Sequence, residues 1–306
     1  MFKNVMMYRL VSPWQVDATV LEGALQQARF VECGASQEKA VGWVEPRGVD
    51  HGPMLEIVGA QWIMKLMFEA KVIPGSVVKR KADEQLQHIE TTTGRKPGRK
   101  EVRDIREDAR LSLLPMAFAK QAATLVWVDP KAGLLVLDAA SQARADEVLT
   151  CLVKAVSGLA VQLVDTRMSP AAAMALWLST KESPSGFSVD RECELKAADE
   201  SKAVVRYTRH ALDTDEVAQH IALGKMPTRL AMTWNSRVSF VLTEALQLKK
   251  VAVLDVVLEA ATALASDGKD DNFDADVAIA TGELGQMIPE LLEVLGGEGA
   301  SPVAPV

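Results

Sequence analysis

The sequence is poor in the residues that build disulfide and metal-bound frameworks. Its 306 residues include 3 cysteines and 4 histidines. Cys33, Cys151 and Cys193 lie far apart without a CxxC spacing, which argues against a disulfide framework and a thiolate zinc site. No histidine lies four residues from another or beside a cysteine. We therefore expect no metal, no Cys-His catalytic centre and a reducing, cytoplasmic environment.

Long apolar runs, export signals and nucleotide-binding or hydrolase motifs are missing as well. No stretch reaches the roughly 18 uncharged apolar residues that a membrane span needs, and the start MFKNVMMYRL has neither an h-region nor a cleavage site. GxSxG and GxxxxGK[ST] do not occur, and no GxGxxG follows a predicted strand. We expect an unexported protein without membrane contact, catalytic residues or cofactor, although two carboxylates could still meet in space and form a hydrolase.

Charge is segregated along the chain. The 34 basic and 41 acidic residues give a net charge of −7, which argues against a surface that attracts nucleic acid everywhere. Residues 79–110 nevertheless carry 10 basic and 7 acidic residues, and residues 201–254 carry 8 and 4. Residues 255–306 carry 1 basic and 11 acidic residues. Any contact with nucleic acid must therefore be local.

Apolar runs alternate with helix-period segments, which predicts an α+β fold with mixed sheets and helices. Two hairpins are expected, one turning through DPKAG at 129–133 and one turning at Asn235-Ser236. Helices are predicted at about 142–156 and 214–223. The second should begin with a capping box of Asp213 and Glu216 and end at Gly224.

Near the end of the chain, VAIAT at 277–281 is typical of a strand, and a helix containing Leu284 should follow it. The same region approximates a calcium-binding EF-hand loop, because positions 1, 3, 5 and 12 would be filled by Asn272, Asp274, Asp276 and Glu283. Position 6 is Val277, which cannot easily adopt the left-handed turn that glycine supplies there. A polar loop before a buried strand is the favoured interpretation.

The first basic stretch predicts an amphipathic helix with a cationic ridge, which we define as Arg99, Arg103, Arg106 and Arg110. Their spacings of 4, 3 and 4 place them on one helix face. Pairing of Lys100 with Asp104, and of Arg103 with Glu107, would make this an ordinary solvated face. The spacing alone favours the solvated face and leaves a nucleic-acid role open.

The second basic stretch surrounds a predicted strand and helix. Strand alternation would place Arg206 and His210 on one face and Arg209 on the other, while Lys225 and Arg229 follow the helix. No acidic residue occurs between Glu216 and Glu244. Such a cationic run suits phosphate oxygens, but it would equally keep a sheet edge from aggregating. The pattern does not decide between the two.

Seven stretches together resemble the RdgC family of bacterial recombination-associated proteins. They are FKNVMMYRL, GWVEPRG, LLPMAFAK, WVDPKAGLLVLDAAS, HIALGK, LAMTW and FDADVAIATGELGQMIPELLEVLGGE. They follow one another along almost the whole chain, and the last is the most specific.

The resemblance implies a non-catalytic, nucleoid-associated protein that binds double-stranded and single-stranded DNA with little sequence preference. It implies a ring-shaped homodimer that encircles DNA and restrains the RecA recombinase. It also implies a three-part chain, with a central domain from residues 1–75 and 121–165, a helical tip insertion at 76–120 and a base domain at 166–306. A ring that is acidic outside and basic inside would reconcile the net charge with phosphate binding.

The charge pattern and the resemblance single out candidate site residues. We expect DNA contacts from a base set, defined as Arg206, Arg209, Lys225 and Arg229, ahead of Arg99 and Arg103 on the cationic ridge.

Phe118 in LLPMAFAK corresponds to a family aromatic at a ring-closing dimer contact, and we assign Leu114 to the same contact. The alternative for Phe118 is an ordinary core position.

Two rival hypotheses remain. The first is a protein-interaction adaptor that binds RecA directly through the acidic C-terminal third, without DNA. The second is a hydrolase that uses a carboxylate pair.

Overall fold

A computed structural model describes residues 1–11, 13–262 and 269–299. The chain folds into two units. Unit 1 comprises Met1–Leu21, Leu55–Met64 and Leu125–Val306, and unit 2 comprises Glu22–Met54 and Lys65–Thr124. Helices and antiparallel strands occur in both units, which confirms the α+β class.

The helices and strands of the described residues follow one another in this order: β1 (Asn4–Leu10), α1 (Ala18–Gln27), β2 (Lys39–Val44), β3 (Glu56–Val58), β4 (Gln61–Val72), α2 (Gly75–Thr93), α3 (Arg99–Leu113), a 3-10 turn (Leu114–Met116), β5 (Phe118–Asp129), β6 (Leu134–Asp138), α4 (Gln142–Ala155), β7 (Val161–Leu163), α5 (Pro170–Thr180), β8 (Phe187–Ala197), β9 (Val204–Thr208), α6 (Asp215–Ala222), β10 (Lys225–Trp234), β11 (Val238–Thr243), β12 (Leu248–Val253), α7 (Asp255–Thr262) and α8 (Lys269–Val294).

Unit 1 is built on an antiparallel sheet in which β6, β1, β12, β11, β10, β8 and β9 are successive neighbours. The last residues of β5 pair with β6, and this hairpin turns through Gly133 at a φ of 62°. The β10–β11 hairpin turns at Asn235 and Ser236, with φ values of 44° and 55°. Two successive positive φ angles define the type I′ turn, whose twist matches that of the strands. Both predicted hairpins are confirmed.

Helix α8 buries a continuous apolar stripe in the core of unit 1. Val277, Ala280, Leu284, Ile288 and Leu291 recur every three or four residues and are all buried. This period continues through VAIAT, so the predicted strand at 277–281 is wrong and that run is the second quarter of the helix. The helical backbone of residues 272–283 is also incompatible with an EF-hand loop.

Unit 2 contains a sheet segment and a helical hairpin. Residues Lys39–Val44 of β2 pair with Lys65–Ala70 of β4. A side chain at Gly42 would bring its Cβ within 2.4 Å of the Phe30 Cα, so glycine permits the close approach of these two backbones. Helices α2 and α3 pack against each other, with Ala82 on α2 and Ala109 on α3 fully buried.

The turn between β10 and β11 is tied to α8 by charged side chains. Arg237 donates from Nε to Glu283 Oε2 at 2.7 Å and from Nη2 to Glu283 Oε1 at 2.5 Å. Glu283 is only 6% exposed. Trp234 Nε1 donates to Glu290 Oε2 at 2.6 Å, about two helical turns further along α8 than Glu283. The hairpin and the helix are therefore held together by charge-assisted hydrogen bonds as well as by apolar packing.

Removal of Arg237 should destabilise unit 1 because it leaves the buried Glu283 carboxylate without its strongest partner. We expect Arg237→Ala to cost about 2 kcal/mol in the free energy of unfolding, measured by chemical denaturation. Lys181→Ala is the matched control, because Lys181 pairs at 2.7 Å with Asp215, whose side chain is 99% exposed. An exposed pair of that kind is worth at most about 1 kcal/mol. Equal losses in the two variants would contradict this account.

Candidate nucleic-acid interface

Two members of the base set lie on one face of the sheet, on either side of a glutamate. Glu194 on β8 lies opposite Arg206 on β9 and opposite Arg229 on β10. Arg206 Nε donates to Glu194 Oε2 at 2.6 Å, and Thr228 Oγ1 donates to Glu194 Oε1 at 2.8 Å. The flanking residues Cys193 and Leu195 are buried, so this row faces away from the core. We call Arg206, Glu194 and Arg229 the open-face row.

The Glu194 carboxylate is held ionised by its neighbours. Burial raises its pKa, but the hydrogen bonds from Thr228 and Arg206 and the charges of Arg206 and Arg229 outweigh that effect. The net result is a pKa below the ordinary range of glutamate. The Arg206 side chain is 71% exposed and that of Glu194 is 15% exposed, so the row presents mainly its guanidinium groups to solvent.

Lys225 lies on the opposite face, although it is four residues from Arg229 on the same strand. Pairing with β8 shifts between Pro227 and Arg229, and Thr228 is the extra residue of this β-bulge. On the N-terminal side of the bulge, Pro227 is buried, and Lys225 shares its face. Lys225 Nζ is 3.2 Å from His220 Nδ1 on α6. The bulge therefore separates Lys225 from the open-face row.

Arg209 lies beyond the end of β9, in a backbone conformation that breaks strand alternation. Its φ is 56°, and the strand ends one residue earlier at Thr208. The ring of the next residue, His210, packs beside Tyr207 with the ring centroids 5.4 Å apart. Tyr207 is buried on the covered face, so the prediction that Arg206 and His210 share a face is wrong. The left-handed backbone conformation of Arg209 thus reverses the chain after β9, so that His210 lies beside Tyr207.

The start of α6 also differs from the prediction. Thr214 is the N-cap, and no side chain caps the helix. Glu216 instead accepts a hydrogen bond from the Tyr207 hydroxyl at 3.0 Å, so the predicted capping box is wrong. Burial, followed by this bond to a carboxylate, raises the pKa of Tyr207 to about 12. The predicted stop at Gly224 is confirmed by its φ of 89°.

In unit 2 the cationic ridge lies on one exposed helix, as its spacing predicts. The expected Lys100–Asp104 and Arg103–Glu107 pairs are not among the ion pairs of the described residues. Arg103 Nε instead lies 3.7 Å from the adjacent Asp104, and Arg110 pairs with Glu38 at 2.9 Å.

Acidic partners therefore do not distinguish the ridge from the base set. Within the described part of the chain, Arg99 and Arg106 have no ion pair, whereas Arg206 of the base set is paired with Glu194.

The two residues assigned to a dimer contact have very different surroundings. Phe118 is 88% exposed, so the alternative of a core position is wrong. Leu114 is 1% exposed and is buried within its own chain. Leu111 and Met116 are also exposed, at 48% and 70%. Phe118 thus lies in a segment of unit 2 with other exposed apolar side chains, whereas the side chain of Leu114 is not on the surface of its own chain.

The described residues bring together no group of three His, Cys, Asp or Glu side chains that could hold a metal ion. Among the helices of the described ranges, none combines the length and the apolar composition required to cross a membrane.

Sequence reasoning missed Glu194, His220 and Tyr207 as partners of the candidate cations. Only Glu194 had a usable signal, because ECEL at 192–195 alternates acidic with apolar residues.

The sequence matches known proteins along almost its whole length. The family model described as "Putative exonuclease, RdgC" matches residues 1–298. A Dechloromonas aromatica (strain RCB) protein named "Recombination-associated protein RdgC" is 43% identical over 300 residues, which cover 97% of this chain and 98% of the relative. Relatives of the same name from Cupriavidus pinatubonensis and Herminiimonas arsenicoxydans are each 44% identical, over 97% and 98% of this chain and 98% and 99% of their own.

The lowered pKa of Glu194 makes a testable contribution to acid stability. A carboxyl group with a folded-state pKa below its unfolded value, about 4.3 for glutamate, stabilises the fold above that value. The contribution disappears as the pH falls through the folded-state pKa. We expect Glu194→Gln to lose less unfolding free energy than the parent protein between pH 6 and pH 3, measured by chemical denaturation.

The control for this measurement is Glu192→Gln. Glu192 pairs with Lys250 at 2.7 Å, and the two side chains are 43% and 67% exposed. Exposed pairs contribute little to stability, so this variant should show the acid loss of the parent. If both variants follow the same pH profile, Glu194 is not the group responsible.

Proposed function

Because the chain belongs to the RdgC family, we propose that it is a DNA-binding protein that contacts phosphates rather than bases and regulates recombination. The names of its relatives associate them with recombination. We propose that it acts without catalysis, in the cytoplasm, on the nucleoid. Duplex and single-stranded DNA would both be bound, since both present the same phosphates.

The observation that carries this proposal is the exposure of the base-set arginines in an otherwise acidic chain. Arg206, Arg209 and Arg229 are all exposed in unit 1. Arg206 lies on β9, Arg209 directly follows β9, and Arg229 lies on β10, the strand on the other side of β8. Arginine side chains suit phosphate oxygens, because the planar guanidinium group donates several hydrogen bonds in a fixed geometry. Neutralisation of phosphates releases counterions irrespective of sequence, so binding of this kind has low specificity.

We further propose that the protein acts as a ring-shaped homodimer. The exposed aromatic Phe118, with Met116 and Leu111, is an apolar surface that a second copy of the chain would cover. The proposed ring retains the three-part division into residues 1–75 with 121–165, residues 76–120 and residues 166–306. A closed ring dissociates slowly from DNA and would restrain RecA by occupying its substrate.

The adaptor hypothesis has one supporting observation, the concentration of acidic residues at 255–306. An adaptor would bind RecA in the absence of DNA, whereas the proposed protein acts through DNA. The family model's description points to a nuclease as a third possibility. A gel-shift series with and without RecA, together with a nuclease assay supplemented with divalent metal, separates the three.

DNA binding should depend steeply on salt and weakly on sequence. If a dimer neutralises about 6 phosphates, its affinity should fall by around three orders of magnitude between 50 and 200 mM salt. The measurement is a fluorescence-anisotropy titration with duplexes of several unrelated sequences. An affinity that does not change with salt concentration, or binding to one sequence alone, would refute phosphate recognition.

The base set should contribute more to that salt dependence than the cationic ridge. We expect the triple variant Arg209→Ala, Lys225→Ala, Arg229→Ala to lower the salt slope by about 1 per removed contact, with all sequences weakened alike. The matched variant replaces Arg99, Arg103 and Arg106 with alanine. If only the ridge variant loses affinity, the DNA path runs along α3 instead.

Truncation of Phe118 should weaken the dimer without unfolding the chain. Its side chain is exposed, so Phe118→Ala removes no packing inside the chain, whereas a central interface anchor is commonly worth 2 kcal/mol or more, roughly 30-fold in dimer dissociation. Analytical ultracentrifugation measures the dissociation constant, and circular dichroism checks the fold. Val20→Ala is a control on another exposed apolar side chain of the same chain. If Phe118→Ala leaves the dimer dissociation constant unchanged, Phe118 is not part of the interface.

A further inference from the structure

His220 and Lys225 form a contact that requires one particular form of the histidine. Lys225 Nζ lies 3.2 Å from His220 Nδ1, and both side chains are half-buried. A lysine ammonium group can only donate hydrogen bonds, so Nδ1 must be the acceptor. The ring is then neutral and carries its proton on Nε2. A second proton on the ring would occupy Nδ1 and abolish the contact.

His210 requires a proton on Nδ1, although the rings of His210 and His220 both lie beside the ring of Tyr207. The centroids of His210 and His220 lie 5.4 Å and 6.4 Å from that of Tyr207. His210 Nδ1 is 2.6 Å from the carbonyl oxygen of Ala211, which can only accept. Nδ1 of His210 therefore carries a proton, and a second proton at Nε2 leaves this bond intact. Of these two histidines, only His220 loses its partner on protonation.

The elements packed against α6, which carries His220, are α5 and β10. Where α5 ends, Lys181 is paired at 2.7 Å with Asp215 of α6. Lys225 on β10 is the cation in contact with the ring. Glu216 lies one helical turn earlier on α6, and its carboxylate accepts from the Tyr207 hydroxyl of β9. Lys225 also interacts electrostatically with Asp199, in the loop between β8 and β9. The ammonium group of Lys225 thus has His220 Nδ1 as its hydrogen-bond partner, and Asp199 acts on it only through the electrostatic field.

We propose that His220 positions Lys225 for a DNA phosphate and, when protonated, releases it and adds a second positive charge to the site. The inference rests on the proposed DNA-binding role of Lys225. With His220 neutral, one ammonium hydrogen is bound to Nδ1 and the other two are available for phosphate oxygens. Protonation places two cations in contact, so the lysine moves away and the local charge rises from one to two.

The consequence is DNA affinity that rises as the pH falls through the range in which histidine gains its proton. One added charge near the phosphates raises the magnitude of the salt slope by about 1. His220→Gln retains an acceptor for Lys225 but cannot be protonated, so it should bind as the parent does at pH 8 and lose the increase at pH 6. His220→Ala provides no acceptor and should bind more weakly already at pH 8.

The experiment combines a DNA titration with NMR of the full chain. Salt slopes are measured at pH 8 and pH 6 for the parent, His220→Gln, His220→Ala and the matched control His88→Gln, which replaces an exposed histidine of α2 outside the base set and should behave as the parent does. Nitrogen-15 spectra at pH 8 should show a proton on Nε2 of His220 and on Nδ1 of His210. A proton on Nδ1 of His220, or an unchanged pH response in His220→Gln, overturns the proposal.

Failure of the proposed function gives a different result. If the parent does not bind DNA at either pH, the DNA-binding proposal fails, and the phosphate-positioning role of His220 fails with it. If DNA binding depends on Lys225 but both His220 variants match the parent at both pH values, only the role of His220 is wrong.

Discussion

One covered face of the unit 1 sheet determines where its charged residues point. Helices α5 and α6 pack against β10, and Leu195, Leu230 and Met232 are buried in the core beneath them. A strand that buries alternate residues must direct the intervening ones to the other side. Arg206, Glu194 and Arg229 are such intervening residues, so the open-face row follows from the burial of its neighbours. No attraction between the charges is needed to explain their shared face.

Turn and helix positions were predictable because a few consecutive residues determine them. The hairpins at Gly133 and Asn235 and the helix stop at Gly224 depend on local backbone preferences. The prediction of a strand at VAIAT is wrong because five β-branched and small residues fit the period of a strand as well as that of a helix. Only the longer stripe from Val277 to Leu291 shows the helix. The family could be recognised because its distinctive segments lie along nearly the whole chain.

The candidate site was predictable in its residue types but not in its geometry. The bulge at Thr228 and the left-handed Arg209 each change the face on which later residues lie, and neither has a glycine to signal it. Glu194 and His220 meet their partners through pairing of separate segments, which spacing along one segment does not reveal. Glu194 also restrains the guanidinium group of Arg206 through Nε while leaving its Nη hydrogens for other acceptors. Restraint of this kind lowers the entropy lost when a ligand binds.

The bulge in β10 changes which face of the sheet the residues on its two sides lie on. Two residues of one strand that are four positions apart normally share a face. Because Thr228 is an extra residue between them, Lys225 and Arg229 lie on opposite faces. If Thr228 were paired in a regular ladder instead of bulging, Lys225 would lie on the face of Arg229, whereas deletion of Thr228 would leave both residues on their present faces. The bulged conformation at Thr228, rather than the identity of the lysine, determines which surface of the protein carries that charge.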